Sequence, residues 1–432
     1  MPLPVLDQWL VRRMGWESSA LPSPGQLRDW QLARIRELID HAKEGSPFYA
    51  RHLADIDPVS VLTADDFSRL PAIGPEDLRE GAERFLCVSQ DEIARVVTLQ
   101  SSGTTGKPKR VFYTREDLEG TVAYFGWGMR NLVGPEQTAM VLMPGERPGG
   151  VGRLLMDALS RTGARAVPHG IVEDARRAVD HCLECDAACI VGSPAHVNML
   201  VREWERRGLP KNRIRSVLLC WDVTPEAVAR NVADGFGCKV LRHWGMVETG
   251  LGGAVECSSG SGMHLREAEL YLEIIEPETG RLLLDGEVGE IVVTTPLKLG
   301  MPLIRYRTGD MGRVLPGSCV CGSPMRRLDP LVYRTDDGIL IDGVRLTLRE
   351  LNETLYALPE VYDFAASYGE GVLRVVACGK EASLSESVIA ALSGIEAVSH
   401  GVRQGGLRLE VEMKQDGAPA VPGLGKRCIQ NI

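Results

Sequence analysis

The sequence predicts an α/β fold, with a large layered N-terminal domain that includes a β-rich portion and a small α+β C-terminal domain. Three observations carry this expectation. Between residue 96 and about residue 330, short β-branched apolar runs alternate with helical stretches, the pattern of parallel strands laid between helices. After residue 265 the runs 269–275 and 290–295 read as antiparallel strands joined by the turn Pro277-Glu-Thr-Gly280. Beyond about residue 335 comes a helix, two strands and a helix in a stretch of 98 residues, enough for a small domain of its own. The boundary falls between residues 1–332 and 333–432.

Taken in order, the first 95 or so residues are helical. Leu27, Trp30, Leu32, Ile35, Leu38 and Ile39 recur at three-to-four spacing, and Pro47, Pro58, Pro71 and Pro75 cut the following segment into short helices. Strands are expected at 95–99, 139–143, 188–191, 217–219 and 239–241, where β-branched and apolar residues run together. Helices are expected at 153–162, 175–185, 194–207 and 225–236. In the tail the expectation is a helix at 348–357, strands near 364–367 and 373–378, and a helix at 384–392.

Composition narrows the function. Hydrophobic residues make up 44% and charged residues 25%, which supplies a large core and excludes a disordered or fibrous chain. Lys plus Arg is 49 against 58 Asp plus Glu, a net charge of −9, which disfavours non-specific nucleic-acid binding. No window approaches the ~18 apolar residues of a membrane span. The N-terminus has no apolar leader segment, so the expected location is cytoplasmic. Eleven scattered cysteines, an odd number, suggest free thiols and a metal site rather than a disulfide framework.

The stretch Ser101-Ser-Gly-Thr-Thr-Gly-Lys-Pro108 crowds hydroxyls and backbone N–H groups into one short loop. Gly103 and Gly106 let the backbone curl around an anion, and Lys107 adds a fixed positive charge. The Walker spacing is absent, and both flanks look like strands, so the loop joins strands rather than opening a helix.

This octapeptide resembles the phosphate loop of the adenylate-forming (AMP-dependent) acyl-CoA ligase superfamily, and the similarity along the chain is greatest to phenylacetate–CoA ligases. Trp244-Gly-Met-Val-Glu-Thr-Gly250 resembles that superfamily's aromatic-Gly-x-x-Glu motif, and Arg305-Tyr-Arg-Thr-Gly-Asp310 its ribose motif. Arg334-Thr-Asp-Asp337 resembles its hinge, and Gly425-Lys426-Arg427 its C-terminal lysine motif. The resemblance implies a two-step reaction. A small, aromatic carboxylic acid attacks the α-phosphate of ATP and releases pyrophosphate, and the acyl group then passes to the thiol of coenzyme A.

The resemblance also implies roles. Ser101, Ser102, Gly103, Thr104, Thr105, Gly106 and Lys107 cradle the β- and γ-phosphates, and Glu248 helps hold Mg²⁺. Asp310 accepts from the ribose diol, with Arg334 beside it. Asp336 is the pivot of a mobile small domain, and Lys426 serves adenylation. Asp222, in Cys220-Trp-Asp222, stands where the superfamily has its adenine loop. Trp244 is either a flat wall for adenine or acyl group or a plain core tryptophan. Arg147 is equally well an acyl-pocket residue or a loop arginine. A homodimer fits the family.

Cys257, His264, Cys319 and Cys321 make a Cys₃His set, a known composition for structural Zn²⁺. The same pattern in some phenylacetate–CoA ligases supports that assignment. Cys182, Cys185 and Cys189 lie on one helical face running into a strand and are expected in the core. Two other functions stay open: an adenylating enzyme that passes its acyl group to a carrier-protein thiol or an amine, and a degenerate binder without turnover.

Overall fold

The computed structural model describes residues 3–99, 107–145, 149–334, 338–379, 384–414, 418–421, 423 and 426–432. The chain forms two compact units, Met1–Asn131 with His243–Val332 and Leu132–Arg242 with Tyr333–Ile432.

In the first unit, the helix Pro24–Gly45 begins at Ser23, whose hydroxyl accepts from the Gln26 N–H in a capping box. It buries Leu27, Leu32, Ile35, Leu38 and Ile39 as the spacing predicts, whereas Trp30 is only half-buried. At 3.6 residues per turn Trp30 falls about 60° off the edge of that stripe. The strands Ile93–Leu99 and Lys109–Thr114 pair antiparallel, so the segment between them does join two strands. The next helix, Arg115–Met129, lies outside the sequence expectation because its three glycines dilute the pattern. Thr114 and Asp117 start it with a capping box, and the Tyr124 ring packs edge-on against Trp9 at 5.2 Å.

The rest of the first unit is antiparallel sheet. Tyr271–Ile275, Gly289–Thr294 and Tyr306–Gly312 pair in that order. Ala254–Glu256, Met263–Leu265, Arg327–Leu328 and Val314–Leu315 form a second set. The core of this unit runs through Tyr49, Phe67, Phe85, Tyr113, Leu272 and Tyr306.

The second unit holds a parallel sheet in which the strand Lys239–Trp244, as far as Arg242, pairs with Ser216–Leu219, followed in order by Ala187–Gly192, Thr138–Val141 and Arg165–Pro168. Helices Val151–Arg161, Ala175–Glu184, Pro194–Arg206 and Glu226–Phe236 connect these strands. Ser216–Leu219 and Thr138–Val141 are buried along their whole length, as parallel strands covered on both faces must be.

The C-terminal residues of this unit form their own sheet. Val361–Gly369 and Val372–Gly379 pair antiparallel, with Ile429–Asn431 and Arg408–Lys414 added in parallel at the two edges. The two segments of the unit share one core, in which Trp204 and Phe236 lie with Tyr356, Phe364 and Val375. Asn198 Nδ2 donates to the Tyr362 carbonyl at 2.8 Å within that core. Cys182 and Cys189 are buried and Cys185 half-buried, as expected of core thiols. No helix among the described residues is long and apolar enough to cross a membrane.

Candidate functional site

Lys109 opens the strand Lys109–Thr114, and Tyr306 opens the strand Tyr306–Gly312. Together they close on Glu248. Lys109 Nζ forms an ion pair with Glu248 Oε1 and donates to the Tyr306 hydroxyl at 3.0 Å. That hydroxyl donates to the same carboxylate oxygen at 3.1 Å. Glu248 is 1% exposed. Burial alone would raise its pKa, but the charge and hydrogen bond of Lys109 and the bond from Tyr306 hold it below the usual carboxylate range. A buried anion kept ionised is the donor type Mg²⁺ takes.

Lys298 is also buried, 4.4 Å over the Tyr113 ring, with Nζ 3.4 Å from the Glu248 carbonyl. Burial lowers its pKa, and Asp117 opposes that fall. Lys107 is exposed, while Ser101, Ser102, Gly103, Thr104, Thr105 and Gly106 lie outside the described residues, as do Arg147 and Asp336. Sequence reasoning passed over Lys109, Tyr306 and Lys298. The signal for Lys109 was its position directly after Pro108, at the mouth of a strand.

Asp310 sits four residues further along the Tyr306 strand. Gly309, at φ 75°, turns the backbone there in a way an ordinary side chain resists. Thr308 Oγ1 accepts the Asp310 N–H at 3.0 Å and donates to the Ile291 carbonyl at 2.7 Å. Trp244 Nε1 donates to Asp310 Oδ2 at 3.0 Å. Trp244 is 8% exposed and packed in the core, and its polar edge is spent on the candidate ribose aspartate.

In the second unit, Asp222 follows the strand Ser216–Leu219 and accepts the N–H groups of Val223 at 2.8 Å and of Arg427 at 3.1 Å. Burial raises its pKa, against those bonds and the charges of Arg427 and Lys426. Trp221, at φ 83°, is 38% exposed beside it. Lys426 is exposed and Arg334 half-buried. Ser193 caps the helix Pro194–Arg206 by accepting from the His196 N–H. The first unit thus gathers Glu248, Trp244 and Asp310 and the second gathers Asp222 with the Lys426 tail.

Two adjacent hairpins bring the cysteines together. Cys257 follows the strand Ala254–Glu256, His264 lies on Met263–Leu265, and Cys319 and Cys321 sit between Val314–Leu315 and Arg327–Leu328. Because Arg327 pairs with His264, the two loops meet. The four ligand atoms all lie within 4.8 Å of one another. Cys257 Sγ is 3.8 Å from Cys319 Sγ, and Cys321 Sγ is 3.4 Å from His264 Nε2. A tetrahedral zinc with Zn–S of about 2.3 Å and Zn–N of about 2.0 Å requires separations of about 3.8 and 3.5 Å. The donor set and the spacing both fit that ion.

The sequence profile of the AMP-binding enzyme family matches residues 51–301. The phenylacetate-coenzyme A ligase of Thermus thermophilus is 31% identical over 357 residues, covering 78% of this chain and 76% of that protein. The phenylacetate-coenzyme A ligase of Pseudomonas putida is 29% identical, again covering 78% of this chain and 76% of its own. A solved 2-hydroxyisobutyryl-CoA ligase in complex with 2-HIB-AMP has the same fold, with a TM-score of 0.76 at 21% identity over 94% of this chain and 89% of that one. The profile covers more than half of the chain and contains Glu248 and Trp244, and these relatives extend the match past Asp310 in share if not residue by residue; the chain belongs to the adenylate-forming, AMP-binding enzyme family.

Proposed function

We propose that this chain is an AMP-forming acid–thiol ligase that activates a small aromatic carboxylic acid and passes it to coenzyme A. The observation that carries the reading is the buried Glu248 carboxylate held against Lys109, within the stretch that matches the AMP-binding family. A lysine can pair with polyphosphate oxygens and a carboxylate with their cation, so the two groups together suit a metal-bound polyphosphate. The acid oxygen then attacks the α-phosphorus, the P–O bond to pyrophosphate breaks, and the thiolate of coenzyme A displaces AMP from the acyl carbon.

In this reading Ser101, Ser102, Thr104, Thr105 and Lys107 hold phosphate oxygens through hydroxyl, backbone and ammonium donors. Asp310, oriented by Trp244 and Thr308, accepts from the ribose hydroxyls, and Arg334 binds nearby on the nucleotide. Asp222 accepts from adenine. Lys426 stabilises charge at the α-phosphate during adenylation, and Asp336 is the pivot between half-reactions. Mg²⁺, held in part by Glu248, would neutralise phosphate charge. Cys257, His264, Cys319 and Cys321 would hold a structural Zn²⁺ that pins two hairpins. Eleven cysteines, none of them in a disulfide, suit a reducing compartment, the cytoplasm.

The test is carboxylate-dependent pyrophosphate release from ATP across phenylacetate, benzoates and short acyl acids, with and without coenzyme A. Turnover that needs both acid and coenzyme A is the expected result. Exchange without coenzyme A-driven turnover would point to another acceptor, and silence with ATP still bound would point to a degenerate binder.

A further inference from the structure

The C-terminal tail is held to its own sheet by one buried carboxylate. Asp363, 1% exposed at the start of the strand Val361–Gly369, accepts the Ala420 N–H on Oδ2 at 2.8 Å. Its Oδ1 accepts the Tyr356 hydroxyl at 3.0 Å and forms an ion pair with the Arg427 guanidinium. The same carboxylate therefore grips the tail at residue 420 and again at residue 427. Arg427 adds three further contacts. Its guanidinium lies 4.8 Å over the Phe364 ring and 5.7 Å over Tyr356, and its backbone N–H donates to Asp222. Two residues later the chain joins the sheet as the strand Ile429–Asn431. Lys426, by contrast, is exposed.

We infer that Arg427, stapled to Asp363, is a positioning residue that sets where Lys426 can reach during adenylation. The inference rests on the reading of Lys426 given above. A planar guanidinium fixed by a buried carboxylate and two aromatic faces defines both place and direction, which a flexible ammonium would not. The long side chain of Lys426 then starts one residue from a backbone tied to Asp222 and Asp363.

The experiment uses the full-length protein and measures the half-reactions apart, with whichever acid turns over fastest in the panel above. One assay is acid-dependent ATP–pyrophosphate exchange, and the other is thioester formation from supplied acyl-adenylate and coenzyme A. Arg427→Gln is expected to slow exchange about 10²-fold through kcat, the scale of a small misplacement of a reacting group. The Michaelis constant for ATP and the thioester step should stay near wild type. Arg427→Lys, which keeps a cation for Asp363, should recover part of the exchange rate. The double variant Asp363→Asn with Arg427→Gln should lose less exchange than the two single losses multiplied together, because the Asp363–Arg427 contact is counted in both singles while Asp363 also holds Ala420 and Tyr356. Unchanged exchange in Arg427→Gln overturns the inference, and so does an equal loss of both half-reactions with a lowered Tm. Lys426→Ala separates this from failure of the underlying reading: normal exchange in that variant removes the role of Lys426 itself, whereas slow Lys426→Ala beside fast Arg427→Gln removes only the positioning role.

Discussion

Trp244 Nε1 donates to Asp310 Oδ2 across 3.0 Å, with both residues nearly buried. The aromatic residue of one sequence motif thus orients the carboxylate of another. A hydrogen bond to a charged group contributes about 1.5–3 kcal/mol, so Trp244→Phe should weaken ATP binding by about tenfold or more. Steady-state kinetics with ATP varied would read this as a raised Michaelis constant. An unchanged constant would leave Trp244 as core packing only.

The pairing of Lys109 with Glu248 gives two linked outcomes. Breaking a buried ion pair from one side costs about 3–5 kcal/mol, so Lys109→Met should lower Tm sharply. Glu248→Gln in the same chain should restore much of that loss, because no uncompensated anion is left. If the double variant melts no higher than Lys109→Met, the pair does not carry stability.

Glu248 also sets an acid limb. Its carboxyl is held below its ordinary value, so its contribution to stability is fully present above the unfolded pKa of about 4.3 and disappears as pH falls through the folded one. The Tm difference between wild type and Glu248→Gln should therefore shrink below about pH 4. A constant difference down to pH 3 would contradict this.

Zinc should be present at one ion per chain by elemental analysis, bound through Cys257, His264, Cys319 and Cys321. Removing it with a chelator, or replacing Cys319 by Ser, should lower Tm while ATP still binds, since the cluster sits on two hairpins and no open position is implied. Purified protein with no metal at these cysteines would reject the assignment.

Thiol reactivity should follow burial. Cys182, Cys189 and Cys220 have thiols pushed up to about 12 by burial, whereas Cys428 is exposed. Brief alkylation near neutral pH followed by peptide mapping should find Cys428 modified first. Early labelling of Cys182 or Cys189 would contradict their place in the core.

Much of the architecture was legible in the sequence. The strand Ala187–Gly192 and the helix Pro194–Arg206 lie within a residue of where β-branched runs and helical spacing put them. Such elements are specified by contiguous residues, so local pattern suffices. The helix Arg115–Met129 was not legible, because packing around Tyr124 offsets the weak propensity of its glycines. The cysteine set was legible as chemistry, but only the pairing of Arg327 with His264 brings its loops together.

By itself, the sequence determined which chemical groups this chain owns and in what order: the Ser/Thr/Gly-rich string at 101–108, Glu248, Asp310, Lys426 and the Cys₃His set. Tertiary structure alone decided which of them share charge. Lys109 meets Glu248, Trp244 serves Asp310, and Arg427 is gripped by Asp363, each pair joining residues far apart in the chain. It also decided that residues 333–432 share a core with residues 132–242. The physical reason is that spacing along a chain governs periodicity and turns, whereas ion pairing and core sharing depend on which surfaces are removed from water together.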